Sequence, residues 1–288
     1  MQIDKYKFTG TKKFDLKSYD TKDPNDVLDK EEEQSLIKQN TTLLEKLLDK
    51  LAAEAKNAIL IIIQGTDAAG KDGAIRHVFS GLNPQNIFVH SFKQPTTNEL
   101  AHDYLWRTAL HMPPRGKLAV FNRSYYEDVL IGKVHKLYKI QNLPDRCKED
   151  DVIEKRYTHI KNLEEYLWDN GITVLKFFLH ISKEEQKQRF IERISDQTKN
   201  WKFTKNDVLE REFWDDYQKA YEIAINETAT KRCPWFIIPA DKKWFARLLI
   251  SEVVKNTLEA LEPQYPKLSA QAKEELNDCG KILAPGMS

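Results

Sequence analysis

The sequence predicts an α/β fold, a three-layer domain with a central parallel sheet of about five strands and helices on both faces. Three observations carry this. Short apolar runs rich in β-branched residues recur along the 288 residues, and segments with apolar residues at helical spacing follow them. The first of these runs, Leu60-Ile61-Ile62-Ile63-Gln64, ends in Gly65, and Gly65-Thr66-Asp67-Ala68-Ala69-Gly70-Lys71 has the spacing G-x-x-x-x-G-K of a phosphate-binding loop. No Gly-, Ser- or Pro-rich linker divides the chain, so one elaborated domain is expected.

The loop organises the rest. Gly65 and Gly70 let the backbone turn so that successive N–H groups face inward, a nest for phosphate oxygens. Ala74, Ile75, Val78, Phe79 and Leu82 then repeat at helical spacing, and the dipole of that helix adds favourable potential for an anion. The candidate cradle is therefore Gly65, Ala68, Ala69, Gly70, Lys71, Asp72 and Gly73, with Lys71 as its full charge. The hydroxyl expected after the lysine is replaced by Asp72, and Asp67 places a second carboxylate inside the turn. A carboxylate beside a polyanion is repulsive unless a cation lies between them, which makes Asp67 a candidate Mg²⁺ ligand. The alternative is that both aspartates only favour the turn and the helix N-terminus.

Composition excludes several classes. Lys+Arg 45 against Asp+Glu 44 leaves a formal net charge of +1, so no global field points to DNA or a membrane, and a polyanion site must come from local clustering. Cys147, Cys233 and Cys279 are widely separated, which argues against a disulfide framework or a zinc site and fits a reducing compartment. Met1-Gln2-Ile3-Asp4-Lys5 lacks the apolar core of a signal peptide, and no apolar run approaches the length of a membrane span. A cytoplasmic protein is expected.

In chain order, residues 1–30 are polar and aperiodic and read as an extended arm. Leu36, Ile37, Leu43, Leu44, Leu47, Leu48 and Leu51 form one stripe of a helix over about 31–55. A strand over 86–92 leads into a loop at its carboxyl end, where parallel sheets bind ligands, so Lys93 is either a phosphate contact or a surface lysine. A helix is expected from about Asn98 to His111, with Leu100, Tyr104 and Leu105 inward. The strand over 117–121 ends at Asn122, where a phosphate-loop protein usually carries an acid that serves Mg²⁺. Arg123 beside it suits phosphate, because its fork binds two oxygens. Glu127 and Asp128 follow, either as site carboxylates or as a solvated helix turn. Lys133, His135, Lys136 and Lys139 add basic groups, Lys133 being a phosphate candidate. A helix over 151–169 and a strand over 173–179 come next. Ser182-Lys183-Glu184-Glu185 is a capping pattern for a helix on which Arg189 and Arg193 share a face. That pair suggests a lid over about 182–210 closing on phosphates, with a surface salt-bridge face as the alternative. Lys199-Asn200-Trp201-Lys202-Phe203-Thr204-Lys205 alternates basic and aromatic residues and suits a lid loop, a linear polyphosphate or nucleic acid. A helix over 207–228, a strand over 235–238 and a last helix, N-capped by Asp241, complete the domain at about residue 262. Residues 263–288 read as a loose tail.

Four blocks carry a resemblance over roughly residues 30–260: Gly65-Thr66-Asp67-Ala68-Ala69-Gly70-Lys71-Asp72-Gly73, Ser91-Phe92-Lys93-Gln94-Pro95-Thr96, Phe121-Asn122-Arg123-Ser124-Tyr125-Tyr126-Glu127-Asp128-Val129-Leu130 and Trp201-Lys202-Phe203. In content, order and spacing they are similar to the polyphosphate kinase 2 family. The resemblance implies a P-loop kinase fold like that of thymidylate kinase with a helical lid. It also implies phosphoryl transfer between inorganic polyphosphate and nucleotides with Mg²⁺. Asn122 with Glu127-Asp128 resembles class III, which phosphorylates both nucleoside mono- and diphosphates. The implied reaction takes AMP and ADP to ADP and ATP. Catalysis falls to Lys71, Asp67, Arg123 and Asp128, with phosphate also held by Arg189 and Arg193. Mg²⁺ falls to Asp67 and Asp128, and the nucleotide to Glu127 and Asn122. A homo-oligomer, dimer or tetramer, is expected, and neither membrane nor nucleic acid as partner. Two alternatives stand beside this: an ATP-dependent nucleoside monophosphate kinase, and a nucleotide-dependent RNA-binding protein using residues 199–205, which the near-neutral charge disfavours.

Overall fold

The structure, a computed structural model, describes residues 2–22 and 30–283. Its sheet has six strands: β1 (Lys7–Phe8), β2 (Ala58–Gln64), β3 (Ile87–Ser91), β4 (Leu118–Asn122), β5 (Ile172–His180) and β6 (Trp235–Pro239). Their order is β1-β6-β5-β2-β4-β3. The five expected strands are mutually parallel. The sixth, β1, is antiparallel to β6 through Lys7↔Phe236 and Phe8↔Trp235. It lies in the segment expected to be an extended arm, and its two residues are too short a run to show a strand period.

The helices are α1 (Lys30–Glu54), α2 (Lys71–Phe79), α3 (Thr97–Leu100), α4 (Trp106–Ala109), α5 (Ile131–Val134), α6 (Val152–Asp169), α7 (Lys183–Ser195), α8 (Lys205–Leu209), α9 (Trp214–Thr228), α10 (Lys243–Ala260) and α11 (Ala270–Leu283). Every residue of β2 is buried, because both faces of the sheet are covered. Ile59, Ile61 and Ile63 pack on one side against Leu44, Leu48 and Leu51 of α1 and the apolar faces of α2 and α10. Leu60 and Ile62 face the other side, toward Ile160 of α6 and Tyr221, Ala224 and Ile225 of α9. The period-2 alternation of the strand thus builds a core on each face and sets three layers.

Local chemistry explains where helices differ from expectation. The helix expected over 98–111 is two short helices, because Asp103 accepts from the N–H of Leu105 at 2.9 Å and closes a turn between them. Leu100, expected inward, is exposed. The helix expected over 207–228 is divided by a 3₁₀ turn at Glu210–Phe213. Asp241 does not cap α10, whose N-cap is Lys242; its carboxylate instead accepts from the Ser182 N–H at 2.8 Å and the Thr21 hydroxyl at 2.9 Å. In the expected loose tail, residues 270–283 are helical with no buried side chain, and 284–288 lie outside the described residues, as do 23–29 of the arm. Among the described residues no helix is long and apolar enough to cross a membrane.

Candidate active site

The site lies at the carboxyl ends of β2 and β4, where parallel sheets present their loops. The chain leaves β2 at Gln64 and enters α2 at Lys71, with Gly70 as N-cap at φ 105°. That conformation suits glycine, and Ala68, at φ 60°, also lies in the left-handed region. The buried Lys71 curls back over the loop: its ammonium donates to the Gly65 carbonyl at 2.5 Å and the Thr66 carbonyl at 3.0 Å. Burial pushes it down to about 8, aided by the Arg123 cation, while Asp67, Glu127 and Asp72 pull the other way. The Thr66 hydroxyl is buried and without a hydrogen-bond partner among the described residues, which leaves a polar group in the loop for a ligand.

Arg123 follows β4 directly. Its φ of 64° is strained for a non-glycine residue, and its N–H donates to the Ile63 carbonyl of β2. The strain aims its guanidinium between two carboxylates, Asp67 at 2.7 Å and Glu127 at 2.9 Å. Carboxylate charge, Glu127 foremost, holds the guanidinium even more firmly protonated than usual. Asn122 donates to Asp72 at 2.7 Å, so the residue at the end of β4 does meet the loop, through its amide.

Asp128 points elsewhere. It pairs with Arg156 of α6 at 3.4 Å, and burial pushes its carboxyl up to about 6. This revises the expectation that Asp128 joins Asp67: Arg123 links Asp67 to Glu127 instead, because the 3₁₀ turn at Tyr125–Asp128 sends successive side chains in different directions.

The arginine pair is also corrected. Arg189 is 5% exposed at its side chain, bound to Glu185, and its guanidinium donates to the carbonyls of Ala68 and Ala69 in the loop and of Ala240 and Asp241 beyond β6. It braces the phosphate loop through its backbone, so its donors are already engaged by carbonyls. Arg193 lies over the Phe190 ring at 5.5 Å. Gln186, which sequence reasoning missed, shares the Arg189 face and donates to the Asp67 carbonyl at 2.9 Å; its spacing of three from Arg189 was the available signal. Lys93 is exposed at the end of β3, and its carbonyl accepts from Arg107 at 3.0 Å. Lys133 faces α6, 4.0 Å from Glu154 and 5.7 Å from the Tyr157 ring, and is not brought to the loop.

Asp67 and Glu127 offer hard oxygen donors beside the loop. Among the described residues no group of three or more His, Cys, Asp or Glu could hold a metal ion. Mg²⁺ needs only one or two protein carboxylates when phosphates and waters complete its octahedron, so the donor set fits it.

A phosphate loop, a buried lysine over it and a carboxylate-bound arginine at the end of the neighbouring strand define a phosphoryl-transfer enzyme of the P-loop kinase fold. Residues 27–266 match the Polyphosphate kinase 2 family. The chain is 44% identical over 274 residues to the ADP-polyphosphate phosphotransferase of Rhodopseudomonas palustris, covering 92% of each. It is 45% identical over 267 residues to the AMP/ADP-polyphosphate phosphotransferase of Meiothermus ruber, covering 91% of this chain and 95% of that one. Its backbone matches the crystal structure of Polyphosphate Kinase 2 from Arthrobacter aurescens with a TM-score of 0.85 at 35% identity, over 94% of each chain. The chain belongs to the polyphosphate kinase 2 family.

Proposed function

We propose that this enzyme transfers the terminal phosphoryl group of inorganic polyphosphate to AMP and ADP, giving ADP and ATP. The P–O bond to the rest of the donor chain breaks, and a terminal phosphate oxygen of the acceptor forms the new one. The observation that carries the reading is the phosphate loop with Lys71 over it and Arg123 beside it between Asp67 and Glu127, in a chain similar to phosphotransferases named for polyphosphate with ADP or AMP/ADP.

Such a transfer asks the protein for alignment and charge neutralisation. Lys71 leaves its two neutral carbonyls for a phosphate oxygen, and the loop N–H groups from Ala68 to Gly73 hold the remainder. Arg123 exchanges carboxylate for phosphate contact. Asp67 and Glu127 would hold Mg²⁺, which supplies positive charge between two anionic substrates. Asn122, neutral where an acid is usual, adds no repulsion toward the acceptor. Arg189 and Gln186 keep the loop in shape. A homo-oligomer belongs to the same proposal, with the apolar Ile191 and Ile194 exposed on α7 as a surface to cover; light scattering measures it.

The test is incubation with polyphosphate, ADP or AMP, and Mg²⁺, without ATP, followed by nucleotide chromatography. ATP from ADP and ADP from AMP are expected. Phosphorylation of AMP only when ATP is supplied would identify an ordinary monophosphate kinase. Titration of Mg²⁺ at saturating substrates tests the carboxylates: Asp67→Asn and Glu127→Gln should raise the midpoint, and an equal rise in Asp128→Asn would restore Asp128 as a ligand.

A further inference from the structure

The N-terminal arm encloses a cavity outside the phosphate loop. β1 fixes its start on β6. Asn226 of α9 fixes its middle, accepting from the Phe14 N–H at 2.8 Å and donating to the Phe14 carbonyl at 3.0 Å. Asp241 fixes its end, donating its N–H to the Thr21 carbonyl at 3.0 Å and accepting the Thr21 hydroxyl at 2.9 Å. Phe14 packs between Phe8 and Tyr19, with ring centroids 5.1 Å and 5.0 Å away. The closed loop borders a cavity of about 360 Å³, lined by the lysines Lys5, Lys12, Lys13 and Lys22, by Asp15 and Asp20, and by aromatic rings. Asp15 accepts from the Lys17 N–H of its own turn. Among the described residues, Lys12, Lys13 and Lys22 are exposed and form no ion pair.

We propose that this cavity is a second anchor for the donor, holding a remote stretch of the polyphosphate chain while its reacting end lies at Lys71. The proposal rests on polyphosphate being the donor. Three observations carry it. The four lysines outnumber Asp15 and Asp20, so the lining is net positive, an arrangement that a polyanion relieves. The cavity is lined by Pro239 at the carboxyl end of β6, the same end of the parallel strands at which β2 enters the phosphate loop. The two are joined by one side chain: Arg189 donates to Ala68 and Ala69 of the loop and to Ala240 and Asp241, and Asp241 holds Thr21, next to Lys22.

The residue types favour a phosphate chain over RNA. Lysines are mobile point charges that suit a repeating anion without planar edges. RNA recognition needs exposed rings on which bases stack. Here Phe8 and Phe14 are 2% and 1% exposed and spend their faces on the protein.

The experiment uses the full chain with Lys12→Ala, Lys13→Ala and Lys22→Ala combined. These side chains are exposed, so the melting temperature should hold, and Lys→Arg at the same positions is the conservative control. Binding of long-chain polyphosphate is measured by calorimetry without nucleotide, and KM is measured with long-chain polyphosphate and with tripolyphosphate. The expected result is about tenfold weaker binding and higher KM for the long chain, a shallower salt dependence, an almost unchanged tripolyphosphate KM, and recovery in the arginine control. Unchanged long-chain binding, or an equal loss for tripolyphosphate, would overturn the anchor. Oligonucleotide competing as well as polyphosphate would overturn the choice of ligand. If wild-type protein bound long chains through these lysines but made no ATP from them, the donor assignment would fail and the site would stand.

Discussion

Two lysines in this molecule are buried by the same sheet and put to opposite uses. Lys71 starts α2 above β2, and its ammonium rests on two neutral carbonyls. Lys176 sits within β5, 0% exposed, and its ammonium meets the Glu164 carboxylate of α6 at 2.5 Å and the Thr228 carbonyl at 2.8 Å. Around that pair Tyr125 and Tyr126 both donate to Glu164, and Tyr126 also reaches Thr228. Burial raises the Glu164 carboxyl even though Lys176 and the two phenols oppose the rise. The difference lies in what each charge still lacks. Lys176 has a full counter-charge and a closed network, and it is sealed. Lys71 bonds directly only to carbonyl dipoles, with the carboxylates of Asp67, Glu127 and Asp72 acting on it from farther off, so an incoming phosphate gives it the directly bound anion it lacks. A phosphate loop works by leaving its lysine under-satisfied.

The sharpest way to break that contrast is to unpair the sealed site. Glu164→Ala leaves the Lys176 ammonium buried without a counter-charge, and should cost about 3–5 kcal/mol. Chemical denaturation at neutral pH measures it, with turnover per folded molecule unchanged. Glu164→Leu combined with Lys176→Met should recover most of the loss, since removing both charges is far cheaper than stranding one. A loss under about 1 kcal/mol in the single variant would mean that water reaches the pair and that it behaves as a surface bridge.

The sealed pair also shows what the sequence conceals. Strands, phosphate loop and the site at β4 are legible because their information is local: β-branched runs, glycine spacing, and an arginine next to a strand end. Lys176 interrupts Leu175 and Phe177 in an apolar run, and Glu164 falls four residues after Ile160 on the inward stripe of α6. Each alone reads as an exception to a pattern, and only the fold places them together. Arg189 is the harder case. Its spacing from Arg193 suggests a shared outward face, but its partners are carbonyls about 120 and 51 residues away in sequence. Backbone acceptors carry no residue signature. Asp128 and Glu127 are adjacent in sequence, and a single 3₁₀ turn decides which one meets Arg123.

The next effect falls on the open lysine. Lys71→Met should lower kcat by about 10²–10³-fold, the scale for removing one preorganised charge from a transition state. Steady-state rates with polyphosphate and ADP measure it. A near-normal rate in folded protein would remove the phosphate-loop assignment.

Arg189 joins the two halves of the comparison, being buried like Lys176 while touching the loop that Lys71 serves. Arg189→Ala should cost about 2–3 kcal/mol, because the carbonyls of Ala69 and Ala240 lose their buried donor. It should also slow turnover, as the loop relaxes. Unchanged melting temperature with a raised polyphosphate KM would return Arg189 to the lid role its sequence spacing suggests.

The smallest effect is the most diagnostic, because its sign opposes that of Glu164→Ala. Burial holds Lys71 at about 8 against its ordinary 10.5, so across that interval the folded protein binds fewer protons than the unfolded chain. The Lys71 contribution to wild-type apoenzyme stability therefore rises with pH from about 8 to 10.5, and below that window the whole cost of a buried ammonium is present. The shift corresponds to about 3 kcal/mol, and the two hydrogen bonds to carbonyls that Lys71→Met removes offset part of it. The variant should thus be about 1–2 kcal/mol more stable than wild type at neutral pH, and the gain should vanish as pH climbs through the window. Denaturation curves at several pH values in the absence of phosphate give the comparison. Adding tripolyphosphate should then stabilise the wild type and leave the variant nearly unmoved, since the ligand now supplies the missing anion. A variant less stable than wild type at neutral pH, or a gain that does not depend on pH, would show that Lys71 is as well satisfied as Lys176 and that the loop stores no such deficit.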